Sequence, residues 1–162
     1  MISSSEATKM SFVGKLEVDV EIKAPAAEFH DVISGRPHHI SKVSPAHIQS
    51  CEIHEGEWGK PGSVIFWNYT HNGVPETAKE IIEAIDNEKN STTFKVIEGH
   101  LLEKYKNFVV VVQATPKGQG SLVHWTLHYE KLQEKIPEPQ GIVELALAMT
   151  KDIDAHLTGQ KA

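Results

Sequence analysis

Two stretches of strict alternation between apolar and polar residues constrain the fold more than any other feature of this chain. The apolar positions are Leu16, Val18, Val20 and Ile22 in KLEVDVEIK, and Val123, Trp125, Leu127 and Tyr129 in LVHWTLHYE. A repeat of two sends successive side chains to opposite faces of a β-strand. Each stretch therefore predicts a strand with one face in the core and one face in solvent.

Further strand-like runs fill the middle of the chain, and turn signals separate them. Strands are predicted at residues 48–55, 64–70, 92–97 and 105–115, with Asn72-Gly73 and Gly118 among the turn residues. Short helices are predicted from Pro25 to about Ser34 and over residues 38–43. The pattern of residues 79–85 fits a helix or a strand equally well. Closely spaced turns favour hairpins and an antiparallel sheet.

The hydrophobic period becomes helical after Pro137-Glu138-Pro139. Over residues 140–157 one stripe is formed by Ile142, Leu145, Ala146, Met149 and Ile153, and Gly159 follows as a stop signal. A curved antiparallel sheet with one apolar face needs a cover, and this helix can supply it. We therefore expect an α+β fold in one domain over residues 11–158, with a disordered tail at 1–10 and a short tail at 159–162.

Composition argues against several classes of partner. The formal net charge is −6 and the isoelectric point about 5.9, whereas nucleic-acid binders usually present a basic face. Cys51 is the only cysteine, so no internal disulfide can form, which fits a reducing compartment. No apolar run reaches the roughly 18 residues that a membrane span needs. We expect neither a nucleic-acid partner nor a membrane span.

The glycine-rich loop before the aromatic run VIFWNYT raises the question of phosphate binding. Gly56, Gly59 and Gly62 fall within EGEWGKPGS, but Pro61 removes a backbone donor and a strand follows instead of a helix. A phosphate cradle needs converging N–H groups, usually at a helix N-terminus. The loop is therefore predicted to be a β-hairpin turn whose glycines allow positive φ.

Several segments, spread over nearly the whole chain, point to a known family. They are VGKLEVDVEIKAPA, EGEWGKPGS, FWNYTHNG, KVIEGHLLEKYKNF, VQATPKG, GSLVHWTLHYEKL and IPEP. Together they resemble the plant major latex protein-like (MLP) family, within the Bet v 1 and pathogenesis-related class 10 superfamily. The resemblance implies a helix-grip fold, in which a seven-stranded curved antiparallel sheet surrounds a long C-terminal helix and two short helices. It also implies that residues 79–85 form a strand.

The function implied by this resemblance is the binding of small apolar molecules in an internal cavity. Such ligands would be lipids, steroids or hormone-like metabolites, and the role would belong to plant defence or stress responses in the cytoplasm. We expect a monomer without cofactor. The alternative is a cavity-based enzyme, such as a ribonuclease or cyclase, which would need an inward titratable group. For that group the sequence offers Tyr69, Tyr129 and Glu98.

The resemblance also predicts which side chains face the cavity, because it runs without gaps from Ser63 to Gly99. The predicted ligand-binding residues are Ile65, Trp67, Tyr69, Phe94, Phe108, Val110, Trp125, Leu127, Tyr129, Leu145 and Met149. Aromatic walls with a few polar tips are typical of small-molecule pockets. The same stripe is also typical of an ordinary core, and both interpretations remain open.

The sequence indicates no set of metal ligands and no catalytic residue. There are ten histidines, but His124 and His128 are four apart on a predicted strand and would lie ~13 Å apart. No Cys/His cluster with zinc-ligand spacing occurs, so we expect no metal site and histidines that face solvent. The inward positions of the last strand include no lysine, and no catalytic residue is assigned.

Overall fold

The computed structural model describes residues 12–159, which form a seven-stranded antiparallel sheet with helices packed against it. The strands are β1 (Val13–Ile22), β2 (Ile48–Glu55), β3 (Val64–His71), β4 (Val74–Asp86), β5 (Ser91–Gly99), β6 (Tyr105–Lys117) and β7 (Gly120–Lys131). The fold class predicted from the sequence is confirmed. Of the tails predicted at 1–10 and 159–162, residues 1–10 and 160–162 lie outside the described residues, whereas Gly159 is described.

Short helical segments join β1 to β2, and a long helix ends the described chain. The helices are α1 (Ala26–His30), which continues as a π-helical turn (Asp31–Gly35), a 3₁₀ turn (Pro37–His39), α2 (Ile40–Val43) and α3 (Gln140–Leu157). The first helix reaches Ser34 as predicted, but its second half is widened. There the Ser34 hydroxyl donates to the His30 carbonyl at 2.7 Å, a side-chain bond that competes with regular helix geometry.

The strand order in the sheet is β1-β7-β6-β5-β4-β3-β2. From β2 to β7 each strand pairs with the next one along the chain, as expected for successive hairpins. Only β1 crosses over, and it pairs with β7 from Val13 opposite Glu130 to Ile22 opposite Ser121. The connection between β1 and β2 holds the short helices, which therefore lie at one end of the sheet.

The α3 helix covers the apolar face of the sheet. It buries Ile142, Ala146, Met149 and Ile153, four of the five positions in the predicted stripe, and Leu145 is half-buried. Ile153 is fully buried and belongs to one continuous core cluster with residues from β1, β3 and β5–β7. Burial of this face supplies most of the driving force for packing, at about 25 cal/mol per Å² of apolar area.

Polar contacts fix the C-terminal half of α3 to the elements that surround it. The Asp154 carboxylate accepts hydrogen bonds from the backbone N–H groups of Lys23, at 3.1 Å, and Ala24, at 2.8 Å. The Ser44 hydroxyl, just after α2, donates to Asp152 at 2.6 Å. These bonds also give partners to backbone donors that the end of β1 leaves unpaired.

The β4 strand settles the ambiguity at residues 79–85 in favour of a strand, as the family resemblance implied. Its pairing with β5 shifts register between Lys79 and Glu80 and again between Ile82 and Ala84. Register shifts of this kind bend a strand and increase its twist. Ala78 and Ile82 are buried in the core, and Glu80 lies between them on the same face.

The end of β5 yields a test of this geometry at Gly99. Its φ is +126°, and an added Cβ would clash with the Thr77 carbonyl oxygen on β4. We predict that Gly99→Ala lowers the free energy of unfolding by at least about 3 kcal/mol, since strain and a backbone clash add.

The matched control is Gly118→Ala in the turn between β6 and β7, where φ is +61° and an added Cβ meets nothing within 4 Å. It should cost only about 1–2 kcal/mol. Urea denaturation of both variants measures the difference, and equal losses would contradict the proposed clash.

Candidate ligand-binding cavity

A cavity of about 100 Å³ lies between the apolar face of the sheet and α3. Its walls are almost entirely apolar. The lining residues are Ile33, Ile40, Ile48, Trp67, Tyr69, Ala78, Glu80, Phe94, Leu101, Phe108, Val110, Trp125, Leu127, Ile142, Leu145, Ala146 and Met149. The sheet, the short helical segments and α3 all contribute, so the cavity forms only when these parts pack together.

Nine of the eleven residues predicted from the sequence line this cavity. They are Trp67, Tyr69, Phe94, Phe108, Val110, Trp125, Leu127, Leu145 and Met149. The other two, Ile65 and Tyr129, are buried but lie outside the lining, so we omit them from the proposed contact set. Tyr129 packs instead against Tyr105 and Phe108, with ring centroids 5.6 and 6.4 Å apart.

Eight lining residues were missed by the sequence analysis: Ile33, Ile40, Ile48, Ala78, Glu80, Leu101, Ile142 and Ala146. The helical stripe predicts that Ile142 and Ala146 face inward, and the structure places both in the lining. Ile40 and Leu101 lie in short helical turns, where no period predicts the inward side, whereas Ile33 falls on the apolar side of the helix predicted from Pro25 to about Ser34. The alternation of Ala78, Glu80 and Ile82 was a usable signal once residues 79–85 were taken as a strand.

Internal hydrogen bonds occupy the polar tips of the aromatic wall. The Trp125 indole N–H donates to the Thr150 hydroxyl at 2.8 Å, and Thr150 donates in turn to the Ala146 carbonyl at 2.7 Å. The Tyr69 hydroxyl donates to Glu76 at 3.2 Å. These bonds satisfy buried donors and hold the ring planes in place, so the rings present apolar surface to the cavity.

The segment that precedes α3 is tied to the sheet by a second group of contacts. The Tyr129 hydroxyl donates to the Glu138 carboxylate, which also accepts from Lys131 at 2.7 Å. The Tyr105 hydroxyl donates to the Pro137 carbonyl at 2.7 Å. Burial, followed by the nearby Glu138 charge, raises the pKa of Tyr105 to about 12. The hydroxyl therefore remains protonated and keeps its donor role at physiological pH.

Glu80 brings a carboxylate into the apolar lining. It is half-buried, and its Oε1 accepts the Trp67 indole N–H at 2.8 Å. Burial raises the pKa of Glu80 from 4.5 to about 7, although the hydrogen bond from Trp67 opposes the shift. Glu98, which the sequence offered as an inward acid, is exposed on β5. The alternating face of β5 that points inward holds Phe94 and Val96 instead.

The structure places both Cys51 and one histidine, His30, in the interior. Cys51 is a buried strand residue, and burial followed by the Glu80 charge holds its pKa above the usual range, which keeps the thiol protonated. Residues 12–159 contain no group of three or more His, Cys, Asp or Glu that could hold a metal ion. The expectation of solvent-facing histidines is wrong for His30, which is buried and hydrogen-bonds Asn87 at 2.8 Å.

The glycine loop takes the predicted hairpin form. Gly56, Gly59 and Gly62 have φ of +84°, +80° and +87°, and the loop leads into β3. The Ser63 hydroxyl accepts from the Glu57 N–H at 3.0 Å and donates to the Glu57 carbonyl at 2.7 Å, which closes the loop on itself. This geometry favours a structural turn, because the hydroxyl is used internally.

A polar cleft of about 310 Å³ lies beside the cavity, between the β3–β4 turn and the start of α3. Its lining includes His47, His71, Asn72 and Glu144. Leu145 lines both the cleft and the cavity. Leu145, which is half-buried, therefore lies between this polar cleft and the apolar cavity.

The architecture and the cavity together define the class of the protein. A seven-stranded antiparallel sheet closed by a long C-terminal helix, with an apolar cavity between them, is the helix-grip architecture. Over residues 11–160 the sequence matches the Pathogenesis-related protein Bet v 1 family, and the chain belongs to that family. Among the described residues, no helix is both long and apolar enough to span a membrane.

Comparisons with individual proteins agree with this assignment. MLP-like protein 31 of Arabidopsis thaliana is 52% identical over 153 residues, which cover 93% of this chain and 90% of the relative. MLP-like protein 43 of the same plant is 48% identical, with coverage of 93% and 97%. The resemblance to major latex protein-like sequences is therefore confirmed.

Solved structures show the same fold. Ginseng major latex-like protein 151 from Panax ginseng has a TM-score of 0.87 and 46% identity, covering 90% of this chain and 97% of that chain. Norcoclaurine synthase from Thalictrum flavum, in complex with dopamine and hydroxybenzaldehyde, has a TM-score of 0.78 at 21% identity, with coverage of 100% and 96%. At 21% identity, the likeness to norcoclaurine synthase shows a shared fold alone.

The raised pKa of Glu80 predicts a pH dependence of stability. The folded state binds the Glu80 proton more tightly than the unfolded state, so stability falls as pH rises from about 4.5 to about 7. We predict that Glu80→Gln, which keeps an acceptor for Trp67, removes this loss. The variant should gain roughly 2–3 kcal/mol over the parent between about pH 5 and about pH 8.

Urea denaturation at both pH values measures the gain. Glu83→Gln, an exposed position on the same strand, is the matched control and should follow the parent. If Glu80→Gln and the parent lost stability in parallel over this range, the assigned pKa shift would be wrong.

Proposed function

We propose that the protein binds and carries small hydrophobic ligands in the cavity beneath α3. The observation that carries the proposal is an almost wholly apolar cavity of about 100 Å³, walled by aromatic rings whose polar tips are already paired. Such a surface offers a ligand burial and ring contacts rather than many hydrogen bonds. Membership in the Bet v 1 family supports a ligand-binding role.

The size of the cavity limits which ligands fit without rearrangement. A volume of about 100 Å³ is smaller than the roughly 150 Å³ of an engineered cavity that takes up benzene, so even a ligand with one ring would need small side-chain movements. A lipid or steroid would require side chains to move. Met149 and Leu145 are the candidates for such movement, because Met has three rotatable bonds and Leu145 is only half-buried. Larger ligands would therefore bind with some repacking of α3.

The biological setting is also proposed. The description of the family as pathogenesis-related supports a role in plant defence or stress. A single buried thiol, held protonated, suits a reducing compartment such as the cytoplasm. We propose that the protein acts there as a monomer. Native mass spectrometry of protein purified gently from its source would test both the retained ligand and the monomeric state.

A cavity-based enzyme is the second candidate, and one observation favours it. A carboxyl group with a pKa near 7 inside an apolar cavity is suited to general acid–base catalysis. A ribonuclease or cyclase of this kind would depend on Glu80. Nuclease-free protein incubated with RNA tests the first of these reactions. Cleavage that Glu80→Gln abolishes would favour the enzyme, and intact RNA would count against a ribonuclease.

Filling the cavity tests the carrier proposal directly. Ala146 lies on α3 within the lining, and Ala146→Phe would place a ring in the space that a ligand needs. We predict that the parent binds ethylbenzene and that Ala146→Phe weakens this binding at least tenfold. Chemical-shift titration measures the affinity and shows that the variant remains folded.

Val74→Ala is the control for adhesion to the surface, because Val74 is an exposed apolar side chain outside the cavity. It should bind ethylbenzene as the parent does. Absence of binding to the parent, or equal binding to Ala146→Phe, would refute the proposed site.

A further inference from the structure

Glu80 places an ionisable side chain in a cavity lining that does not need one in order to hold an apolar ligand. Among the described residues that line the cavity, it is the only one with a carboxyl group, and none is basic. An apolar side chain at this position would enclose the same space without the cost of burying an ionisable group. The carboxyl group therefore calls for an explanation based on its geometry.

One oxygen of the carboxyl group is fixed, and the other is available. Oε1 accepts the Trp67 indole N–H at 2.8 Å, which orients the group on the cavity wall. Within residues 12–159, Oε2 accepts no hydrogen bond from the protein. Oε2 is not fully buried either, so it keeps some accessible surface. Oε2 is thus an oriented acceptor on a residue that borders the cavity.

Within residues 12–159, no cationic side chain pairs with this carboxyl group or shifts its pKa. The titratable groups near Glu80 are Cys51 on β2 and Tyr69 on β3, and burial raises the pKa of both, so both stay neutral. On β5 the residue opposite Glu80 is Val96, which is apolar. The α3 residues of the lining are Ile142, Leu145, Ala146 and Met149, all apolar. When Glu80 ionises, its charge therefore has no counter-ion in the part of the chain that the structure describes.

We propose that Glu80 selects the ligand: the cavity prefers apolar molecules that carry a hydrogen-bond donor, basic amines above all, and rejects carboxylates. This inference rests on the proposed carrier function and adds the chemical class of the ligand. A bound ammonium supplies the missing counter-ion and donates to Oε2. A bound carboxylate would put a second negative charge beside Glu80 in a region of low dielectric, where repulsion is strong.

The preference has a defined pH dependence. The raised pKa of Glu80, about 7, means that the group changes charge near neutrality. An alkylammonium ligand remains protonated to about pH 10, so its affinity should increase as pH rises from about 6 to about 8. A carboxylate ligand, ionised above about pH 5, should lose affinity over the same interval. A neutral hydrocarbon should show neither trend.

Four ligands that share one phenyl frame separate this inference from the carrier proposal. They are ethylbenzene, 2-phenylethanol, 2-phenylethylamine and 3-phenylpropanoate, each titrated by calorimetry at about pH 6 and about pH 8. At about pH 8 we expect the amine to bind at least tenfold more tightly than the carboxylate, since hydrogen bonds to charged groups are the stronger ones. The alcohol should fall between them.

Glu80→Gln removes the charge but keeps the acceptor for Trp67, and it should reduce the amine preference to less than threefold and abolish its pH dependence. Glu83→Gln, exposed on β4, should leave both unchanged. If no ligand of the series binds the parent, the carrier proposal fails and this inference fails with it. If ethylbenzene binds but the amine and carboxylate bind equally, or if Glu80→Gln keeps the preference, only the selectivity proposal is overturned.

Discussion

The structure depends on covering one apolar face of a seven-stranded sheet with a single helix. The α3 helix presents a narrow stripe, while the sheet presents large rings at Trp67, Phe108 and Trp125. Close packing normally leaves few voids larger than a water molecule. The Trp67 ring tip is bonded to Glu80 on the neighbouring strand, which keeps it on the sheet, whereas the Trp125 tip is bonded to Thr150 on α3 and bridges the sheet to the helix. The cavity follows from this mismatch between a wide aromatic wall and a narrow aliphatic cover.

Much of this could be predicted from the sequence, because alternation identifies strands and their inward faces together. Once the ungapped segment from Ser63 to Gly99 fixes one register, Trp67, Tyr69 and Phe94 follow, and the structure places all three in the lining. Glu80 is missing from the predicted set because residues 79–85 show no clear period by themselves. Once they are taken as a strand, the alternation of Ala78, Glu80 and Ile82 indicates its inward face. What alternation does not anticipate is the two register shifts in the pairing of β4 with β5. Ile40 and Leu101 escaped for a different reason: short helical turns have too few residues to show a period.

Glu80 also illustrates a conflict between stability and selectivity. Burial raises the pKa of its carboxyl group to about 7, so ionisation near neutral pH costs folded-state stability, and no described residue supplies a cation to offset it. Functional positions are often those at which a local rule of folding is broken. Trp67 limits the cost, because its indole N–H gives one oxygen a partner. The other oxygen, Oε2, can accept a hydrogen bond from a ligand in the cavity.

The anchoring of α3 has a consequence for how related chains can diverge. Glu138 and Pro137 hold the segment before the helix, and Asp152 and Asp154 hold its far end. Between these anchors, the lining residues from Ile142 to Met149 border the cavity with apolar side chains. Because both ends of α3 are anchored by these contacts, its backbone can keep its position when the volume of the cavity changes. Exchanges of side chains along the middle of the helix can therefore reshape the interior without moving the backbone. Gene duplicates could in this way acquire different guests while their folds remain superimposable.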